Sequence, residues 1–137
     1  MKSIESVYSK KKSGYILQGT IIFLDNNDVI VVITGGADHI GAVGLAIPRP
    51  SRLDPNSISA TSSILTMLGH KEDELVKYVS EKLAAATQQN IIVIAGVHYD
   101  DLALQDLEVL RELWIPLTDR IIVVINRKVT ASPKKLS

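Results

Sequence analysis

Three histidines are the residues of this sequence best suited to chemistry, and each lies within two positions of a glycine. The pairs are His39 with Gly41, His70 with Gly69, and His98 with Gly96. Imidazole titrates near neutral pH, ligates metals and donates hydrogen bonds to anions. Glycine allows a ligand or another backbone to approach the main chain closely. Histidines beside glycines therefore indicate a candidate site for a metal, an anion or a proton transfer.

The richest of these segments is residues 34–43, Thr-Gly-Gly-Ala-Asp-His-Ile-Gly-Ala-Val. Apolar runs precede and follow it, so Gly35 and Gly36 predict a tight turn or a backbone that another group approaches closely. A hairpin turn usually needs only Asn-Gly or Asp-Gly. This segment also holds Thr34, an acid, a histidine and a third glycine, and we interpret the additional residues as functional.

Three interpretations of the histidines stay open at this point. In the first, His39, His70, His98 and a carboxylate bind zinc or iron, although no His-Glu-x-x-His or His-x-His motif supports a metal. In the second, the backbone N–H groups of the glycine loops and the start of a predicted helix hold a phosphate or carboxylate. In the third, the glycines only turn the chain and the histidines cap or pack. A general-acid role for His98 with Asp100 is conceivable but has no motif behind it.

Several functional classes are excluded by the sequence. The glycine spacing fits neither Gly-x-Gly-x-x-Gly nor a Walker A loop, and there is no Gly-x-Ser-x-Gly elbow. The absence of cysteine excludes disulfides, thiolate zinc sites, Fe–S clusters and cysteine nucleophiles. We expect a cytoplasmic location, with which a cysteine-free chain is compatible.

The composition predicts a globular domain. Of the 137 residues, 46% are hydrophobic and 22% are charged, and no apolar run approaches the roughly 20 residues of a membrane helix. The ends are basic, whereas residues 13–126 carry 7 basic and 14 acidic side chains, so we expect no nucleic-acid partner. We predict a single α/β domain at 15–128, a flexible basic tail or edge strand at 1–14, and a flexible basic tail at 129–137.

The elements that must position the histidines follow from the hydrophobic pattern. The pattern predicts five strands, at 15–24, 29–33, 40–47, 59–68 and 91–95. The Asp-Asn-Asn-Asp turn at 25–28 predicts an antiparallel hairpin between the first two strands, and the prolines of 48–58 predict a loop.

Helices are predicted at 71–87 and 103–114 from the 3.6-residue period. Pro116 predicts a break, a kink or a new helix start. Residues 117–126 fit strand or helix, and we favour helix. The apolar run 121–125 would form an interface if exposed, so we predict a homo-oligomer. The fold class is α+β (mixed α/β): a single mainly antiparallel β-sheet with two or three helices packed on one face.

Three motifs in order carry a family resemblance. They are residues 34–43, residues 63–71 (Ser-Ile-Leu-Thr-Met-Leu-Gly-His-Lys) and residues 93–100 (Val-Ile-Ala-Gly-Val-His-Tyr-Asp), and each includes one histidine. Together they resemble the LpdD-like family, small accessory proteins associated with UbiD-type (de)carboxylases and described as prenylated-flavin chaperones. The resemblance covers residues 15–115, and the family is linked by fold to proteasome-assembly-chaperone-like domains, which tend to pair.

The resemblance implies a non-enzymatic accessory protein that binds prenylated FMN, or FMN, or delivers it to a UbiD-type decarboxylase. No catalytic residue is implied. The flavin phosphate would bind at the three glycine–histidine loops, which contain Thr34, Gly35, Gly36, His39, Gly41, Gly69, His70, Gly96, His98 and Asp100. Two alternatives stay open because fold does not determine function. One is a small metal-dependent or histidine-assisted enzyme on the same loops, and the other is a purely structural assembly chaperone without a ligand.

Overall fold

Six strands and two helices make up the described part of the chain, which comprises residues 3–10, 14–67, 72–99 and 106–131 of a computed structural model. The elements are β1 (Ser3–Lys10), β2 (Ile16–Phe23), β3 (Val29–Gly36), β4 (Ala42–Pro50), β5 (Ile58–Thr66), α1 (Asp73–Thr87), β6 (Ile91–His98) and α2 (Asp106–Ala131). The strands form one sheet in the order β1-β2-β3-β6-β4-β5. β3 and β6 run parallel and the other four neighbouring pairs are antiparallel.

Both helices pack on the same face of this sheet. α1 contacts β4, β5 and β6, whereas α2 contacts β1, β2 and α1. The strands show the period of two that a sheet covered on one side requires, since Val29, Val31 and Ile33 of β3 are buried and the residues between them are not. The predicted fold class, a mainly antiparallel sheet with helices on one face, is confirmed.

The opposite side of the sheet, which we call the open face, is rich in apolar side chains. Strand alternation and register place on it Ile4 and Tyr8 of β1, Ile22 of β2, Ile30 and Val32 of β3, Ile92 and Ile94 of β6, Val43, Leu45 and Ile47 of β4, and Leu65 of β5. Leu65 is 76% exposed and Ile47 is 52% exposed. The sheet therefore separates the buried core from a second apolar layer, over which neither of the two described helices packs.

The last strand of the sequence, β6, lies between β3 and β4. The connection from β3 to β4 consequently passes over the end of β6 and does not form a hairpin. Ala37 N donates a hydrogen bond to the carbonyl oxygen of His98 at 2.9 Å, and Gly41 N donates to that of Ala95 at 2.8 Å. The sequence predicts either a tight turn or a closely approached backbone at Gly35 and Gly36, and the second of these is found.

β4 is longer than its sequence predicts. Pro48 and Pro50 were expected to end it, but the strand continues to Pro50, which pairs with Ile58 of β5. The pairing of β4 with β6 ends at Ala46, so the proline-containing part has a neighbouring strand on one side only. Proline lacks an N–H group and is tolerated where one side of a strand needs no donor. The predicted loop 48–58 is reduced to residues 51–57.

α2 passes through Pro116 without ending, so the predicted break is not found. Its buried apolar residues form one continuous stripe on both sides of the proline: Leu110, Leu113, Leu117, Ile121 and Ile125. A proline inside a helix costs roughly 3 kcal/mol because it removes one hydrogen bond and crowds the preceding turn. Burial of the stripe offsets this penalty, since both halves of the helix pack on the same core.

The apolar run 121–125 is helical, as favoured, but it does not form the exposed patch on which the homo-oligomer was predicted. Ile121 and Ile125 are fully buried, and Val123 is 54% exposed. The ground for that prediction was therefore wrong, while the homo-oligomer itself stays a prediction. None of the described helices is long and apolar enough to cross a membrane.

Candidate functional site

The parallel pairing of β3 with β6 brings two of the three glycine–histidine segments together. Register places Thr34 beside Gly96 and Gly36 beside His98. The connection after β3 then folds back over the end of β6 and carries His39 to within 6.2 Å of His98, measured between ring centroids, with the rings nearly perpendicular. His98 is exposed and His39 is half-buried. Two histidines that are distant in the sequence thus lie together at one edge of the sheet, where β3 and β6 end.

Glu72, at the N-cap position of α1, completes this cluster. Its side chain lies beside both strand ends and is buried, with the residue only 8% exposed. Oε1 lies 3.0 Å from Nε2 of His39 and accepts a hydrogen bond of 3.3 Å from the backbone N–H of Val97. A buried carboxylate therefore connects the β3–β4 loop, the end of β6 and the start of α1.

Both ring nitrogens of His39 lie within hydrogen-bond distance of an oxygen. Nδ1 is 3.2 Å from the carbonyl oxygen of Ala37, and Nε2 is 3.0 Å from Oε1 of Glu72. Which of the two nitrogens donates depends on the tautomer of the ring. The imidazole is thereby held between the β3–β4 loop and the start of α1.

Three glycines make this packing possible. A Cβ atom at Gly96 would overlap the backbone carbonyl of His39, and one at Gly41 would overlap the carboxyl group of Glu72. Gly36 has a positive φ of 68°, and a Cβ there would overlap the carbonyl oxygen of His98. Each of these three glycines is therefore a position at which another part of the chain comes too close for a side chain: the backbone of His39 at Gly96, the backbone of His98 at Gly36, and the carboxyl group of Glu72 at Gly41.

Tyr99, directly after β6, connects the end of this strand to the beginning of β2. Its hydroxyl donates to the carbonyl oxygen of Ile16 at 2.6 Å and accepts from the N–H of the same residue at 3.0 Å. Its ring packs edge to face against Tyr15, with centroids 4.9 Å apart. These contacts reach across β3 to the beginning of β2, so the strand end that carries His98 is anchored at both sides.

The structure brings most of the predicted site residues to this edge of the sheet. Those residues are Thr34, Gly35, Gly36, His39, Gly41, Gly96 and His98. The remaining three, Gly69, His70 and Asp100, lie outside the described residues. Sequence reasoning missed Glu72 and Tyr99. Nothing in the sequence relates Glu72 to His39, which is 33 positions away along the chain.

The arrangement changes the way in which an external anion could bind. The start of α1 and the backbone N–H groups of the glycine loops were expected to receive a phosphate, but Oε1 of Glu72 already accepts from the N–H of Val97 and lies 3.0 Å from Nε2 of His39. An incoming phosphate would have to displace Glu72 or use the more exposed rim at His98 and residues 36–38. Among the described residues, no group of three or more His, Asp or Glu side chains is placed to hold a metal ion.

A groove of about 290 Å³ lies elsewhere, between β1 and the last turns of α2. Glu5 and Lys128 line it and form an ion pair of 3.2 Å, and Arg127 contributes a second basic side chain. The groove contains none of the histidine cluster. We therefore place the candidate site at the ends of β3 and β6, where titratable groups and close backbone approaches coincide.

Comparison with known families identifies the family to which the domain belongs. The family model described as "Prenylated flavin chaperone LpdD-like domain" matches residues 11–126. The chain belongs to this family. The resemblance that the three motifs suggested is thus confirmed over most of the sequence, and the described cluster is the part of an LpdD-like domain in which two of those motifs meet.

Comparison of structures shows that the LpdD-like chain shares its fold with a yeast protein. A chain from the "Crystal Structure of a Novel Chaperone Complex for Yeast 20S Proteasome Assembly" superposes with a TM-score of 0.56 and 7% sequence identity, covering 90% of this chain and 98% of the yeast chain. At this identity the likeness concerns the fold alone. No protein in a search of curated sequences matches the chain.

Proposed function

We propose that this LpdD-like protein is an accessory chaperone that binds prenylated FMN and passes it to a UbiD-type (de)carboxylase. The observation that carries the proposal is the family match over residues 11–126, whose description names prenylated flavin. The convergence of the β3 and β6 ends supports it, because it brings two histidines together at the strand ends, where His98 is exposed. We further propose that the protein acts in the cytoplasm, where no disulfide is required of a cysteine-free chain.

The phosphate of the flavin is the group that this edge is best able to recognise. His98 is exposed and can donate a hydrogen bond to a phosphate oxygen, and the ring of His39 lies 6.2 Å from that of His98 between ring centroids. Charge-assisted hydrogen bonds to a phosphate are shorter and stronger than neutral ones. The role of the protein is then capture and transfer, so the described histidines bind the ligand and are assigned no catalytic step.

The test is a titration of the purified protein with prenylated FMN and with FMN, followed by absorbance and calorimetry. We expect saturable binding, and we expect His98→Ala to weaken it by about 10- to 100-fold, the effect of one charge-assisted hydrogen bond. Leu53→Ala is the matched control, since Leu53 is 99% exposed in the 51–57 turn and distant from the cluster in the sheet. Thermal unfolding of each variant separates loss of binding from loss of fold.

The outcomes distinguish the candidate functions. Wild-type protein that binds neither flavin would overturn cofactor capture and leave a chaperone that acts on a protein partner alone. Binding that survives both His39→Ala and His98→Ala would place the ligand elsewhere on the chain. Transfer is tested separately, by mixing the flavin-loaded protein with an apo UbiD-type enzyme and following the gain of decarboxylase activity against free prenylated FMN.

A further inference from the structure

From the two edges of the sheet we infer that β5 is the docking strand for the recipient enzyme, an extended segment of which pairs with β5 as a seventh strand. The inference rests on the proposed function, because the recipient is the UbiD-type enzyme named there. β1 and β5 are the two edge strands. An edge strand presents a row of backbone N–H and C=O groups that a further extended chain can complete. The two edges differ in how far the rest of the chain covers them.

β1 is the guarded edge. Its Glu5 forms an ion pair with Lys128 of α2 at 3.2 Å, and Nη1 of Arg120 donates to the backbone carbonyl oxygen of Tyr8. Charged side chains at an edge oppose the addition of another strand, and the Tyr8 carbonyl already has a donor. Side chains of α2 thus close the β1 edge.

β5 has none of these protections in the described part of the chain. Ile58–Thr66 contains no charged residue and no proline, and it pairs with β4 over nine consecutive residues without a bulge. Charges, prolines and bulges are the devices with which edge strands avoid further pairing. Among the described residues, only β4 forms hydrogen bonds with the main chain of β5. The outer row of backbone groups is therefore available to another strand.

The register shows which backbone groups of β5 form this row. Met67 N donates to the carbonyl oxygen of Gly41 at 2.8 Å, directly beyond the last pair of β4 with β5. Consecutive residues of a strand direct their N–H and C=O groups to opposite sides, so the odd-numbered residues bond β4. The prolines of β4 agree, since each lies opposite an even-numbered residue and has no N–H to donate. Five residues therefore face outward: Ile58, Ala60, Ser62, Ile64 and Thr66.

The side chains beside this row define the chemistry of the segment. On the helix side, the hydroxyl of Ser62 donates to Glu81 of α1 at 2.7 Å, and Lys77 donates to the same carboxylate. On the open face, Leu65 is 76% exposed. Successive side chains of a strand point to opposite faces. The segment that fits is therefore an amphipathic strand, with small or polar side chains towards α1 and an apolar side chain beside Leu65.

A second copy of the chain is a less favourable occupant of this edge. α1 packs over β4 and β5, so two copies paired through β5 would bring their α1 helices to about 10 Å, the distance of packed helices. Lys77 and Glu81 lie on the side of α1 that faces this edge, as the bond from Ser62 shows. Both would be buried between the helices, and removing charged groups from water is costly. A segment that carries no helix beside it leaves them in solvent.

The experiment measures backbone hydrogen exchange of the full chain with and without the apo form of a UbiD-type enzyme, in the absence of flavin. Exchange is measured at single residues by mass spectrometry with electron-transfer fragmentation. In the free protein, the even-numbered amides of β5 should exchange fast and the odd-numbered amides slowly, because only the latter bond β4. The enzyme should slow the even-numbered amides by about 10-fold or more and leave the odd-numbered ones unchanged. This alternation is specific to strand addition.

A matched pair of proline variants tests the same edge by affinity. Ala60→Pro removes an outward N–H and keeps the pairing with β4, where Ala60 already lies opposite Pro48. It should raise the dissociation constant for the apo enzyme by about 10-fold or more. Ser6→Pro is the control on β1: the Tyr8 carbonyl reaches Arg120 away from β2, so Ser6, two residues earlier, also directs its N–H outward. Its affinity should equal that of the wild type, and thermal unfolding shows whether each variant folds.

Three results would overturn the inference: an apo enzyme that does not bind, binding that leaves the even-numbered amides of β5 unprotected, and equal weakening by the two prolines. If a proline variant fails to fold, the exchange measurement on the wild type decides alone. Titration with prenylated FMN keeps this inference apart from cofactor capture, since Ala60→Pro should bind the flavin like the wild type. Protection of β5 without flavin binding would refute cofactor capture alone, and flavin binding without protection of β5 would refute docking alone.

Discussion

Glu72 shows how a single side chain can organise the candidate site. Its carboxylate lies at the start of α1, where the partial positive charge of the helix stabilises an anion, and it bonds His39 and the backbone of Val97. Glu72, His39 and Val97 belong to three different segments of the chain. Glu72 therefore occupies the position of an internal anion, and a flavin phosphate that uses the same donors must compete with it.

The first prediction concerns this competition. Replacing Glu72 by Gln removes a negative charge that would repel an incoming phosphate, so FMN should bind about 10-fold more tightly to Glu72→Gln than to the wild type. The variant should also be less stable, because His39 loses a charge-assisted hydrogen bond. Calorimetric titration with FMN measures the affinity, and thermal unfolding measures the stability.

Riboflavin, which has the same ring system without the phosphate, is the matched ligand for this test. Its affinity should be the same in the wild type and in Glu72→Gln. Equal gains for riboflavin and FMN would show that the substitution opened space for the ring, and weaker FMN binding would show that Glu72 orients His39 towards the ligand and does not compete with it.

The second prediction concerns Gly96. A Cβ atom there would overlap the carbonyl of His39, which is backbone and cannot move without displacing the β3–β4 connection. Gly96→Ala should therefore lower the free energy of unfolding by about 3 kcal/mol, the upper end of the overpacking range. Gly19→Ala is the control, because its Cβ would meet the end of the Ile121 side chain at 3.1 Å, and a side-chain end can rotate away.

For Gly19→Ala we expect a change below about 1 kcal/mol, since the loss from packing is partly offset by the reduced entropy of the unfolded chain. Urea unfolding of both variants gives the comparison. Equal effects at the two positions would contradict the view that the β3–β4 connection is fixed against β6.

The sequence identifies the glycines and histidines of the candidate site, but it does not show which other residues they contact. The two glycine–histidine segments were recognised from residue type and spacing, and both lie in the cluster. The partner of His39 was not, because Glu72 is 33 positions away along the chain and its proximity depends on where α1 begins relative to β6. A contact between residues so far apart in the sequence depends on the tertiary structure, and no local sequence pattern predicts it.

Among the elements, α1 is connected to the edge strand β5 by a polar contact. Oε1 of Glu81 accepts from the hydroxyl of Ser62 at 2.7 Å and from Nζ of Lys77, one turn earlier, at 2.6 Å. Partial burial alone would raise the pKa of Glu81, but the hydrogen bonds from Lys77 and Ser62 outweigh it, so the pKa lies below the usual 4.5. The ionised form of Glu81 is therefore the one that the fold favours.

The third prediction follows from the direction of this shift. Because the folded-state pKa is lower than the unfolded one, the stabilisation is complete above about pH 4.5 and is lost as the pH falls through the folded value. The difference in unfolding free energy between the wild type and Glu81→Gln should be constant near neutral pH and should shrink in acid. Ser62→Ala should show the same trend with a smaller amplitude, since Lys77 still donates to the carboxylate. A difference that grows on acidification would contradict the assignment.

The elements themselves were mostly predictable, and the exceptions have physical reasons. The period of two and the period of 3.6 located β2, β3, β5, β6 and α1, because each buries one face on the same core. β4 and α2 extend past prolines that local rules treat as ends. In β4 the strand loses one neighbour before Pro48, and in α2 the buried stripe continues on both sides of Pro116.

On the scale of the whole molecule, the strand order determines which residues lie together at the strand ends and on the open face. The sequence predicts a mainly antiparallel sheet, but it does not show that β6 lies between β3 and β4, because pairing between distant segments leaves no local signal. This one insertion produces the parallel β3–β6 pair, places His39 beside His98, and requires the β3–β4 connection to cross the end of β6. The same order spreads the open face across all six strands.

The last prediction uses this topology. Residues 1–67 contain five of the six strands, yet they form two separate units, β1-β2-β3 and β4-β5, which pair only through β6. Small antiparallel units without a covering helix are marginally stable in water. We therefore expect fragment 1–67 to show no cooperative thermal transition by circular dichroism and little protection of its amides from hydrogen exchange at low micromolar concentration.

Adding fragment 68–137, which supplies α1, β6 and α2, should restore both the transition and the protection, because β6 then pairs with β3 and β4 and the helices cover the core. A second version of fragment 68–137 carrying Val93→Pro is the matched control. Val93 pairs with both Val31 and Gly44, so a proline there disrupts the centre of the sheet and should prevent recovery. Cooperative unfolding of fragment 1–67 alone would contradict the argument, since it would mean that the two strand units associate without the strand that joins them.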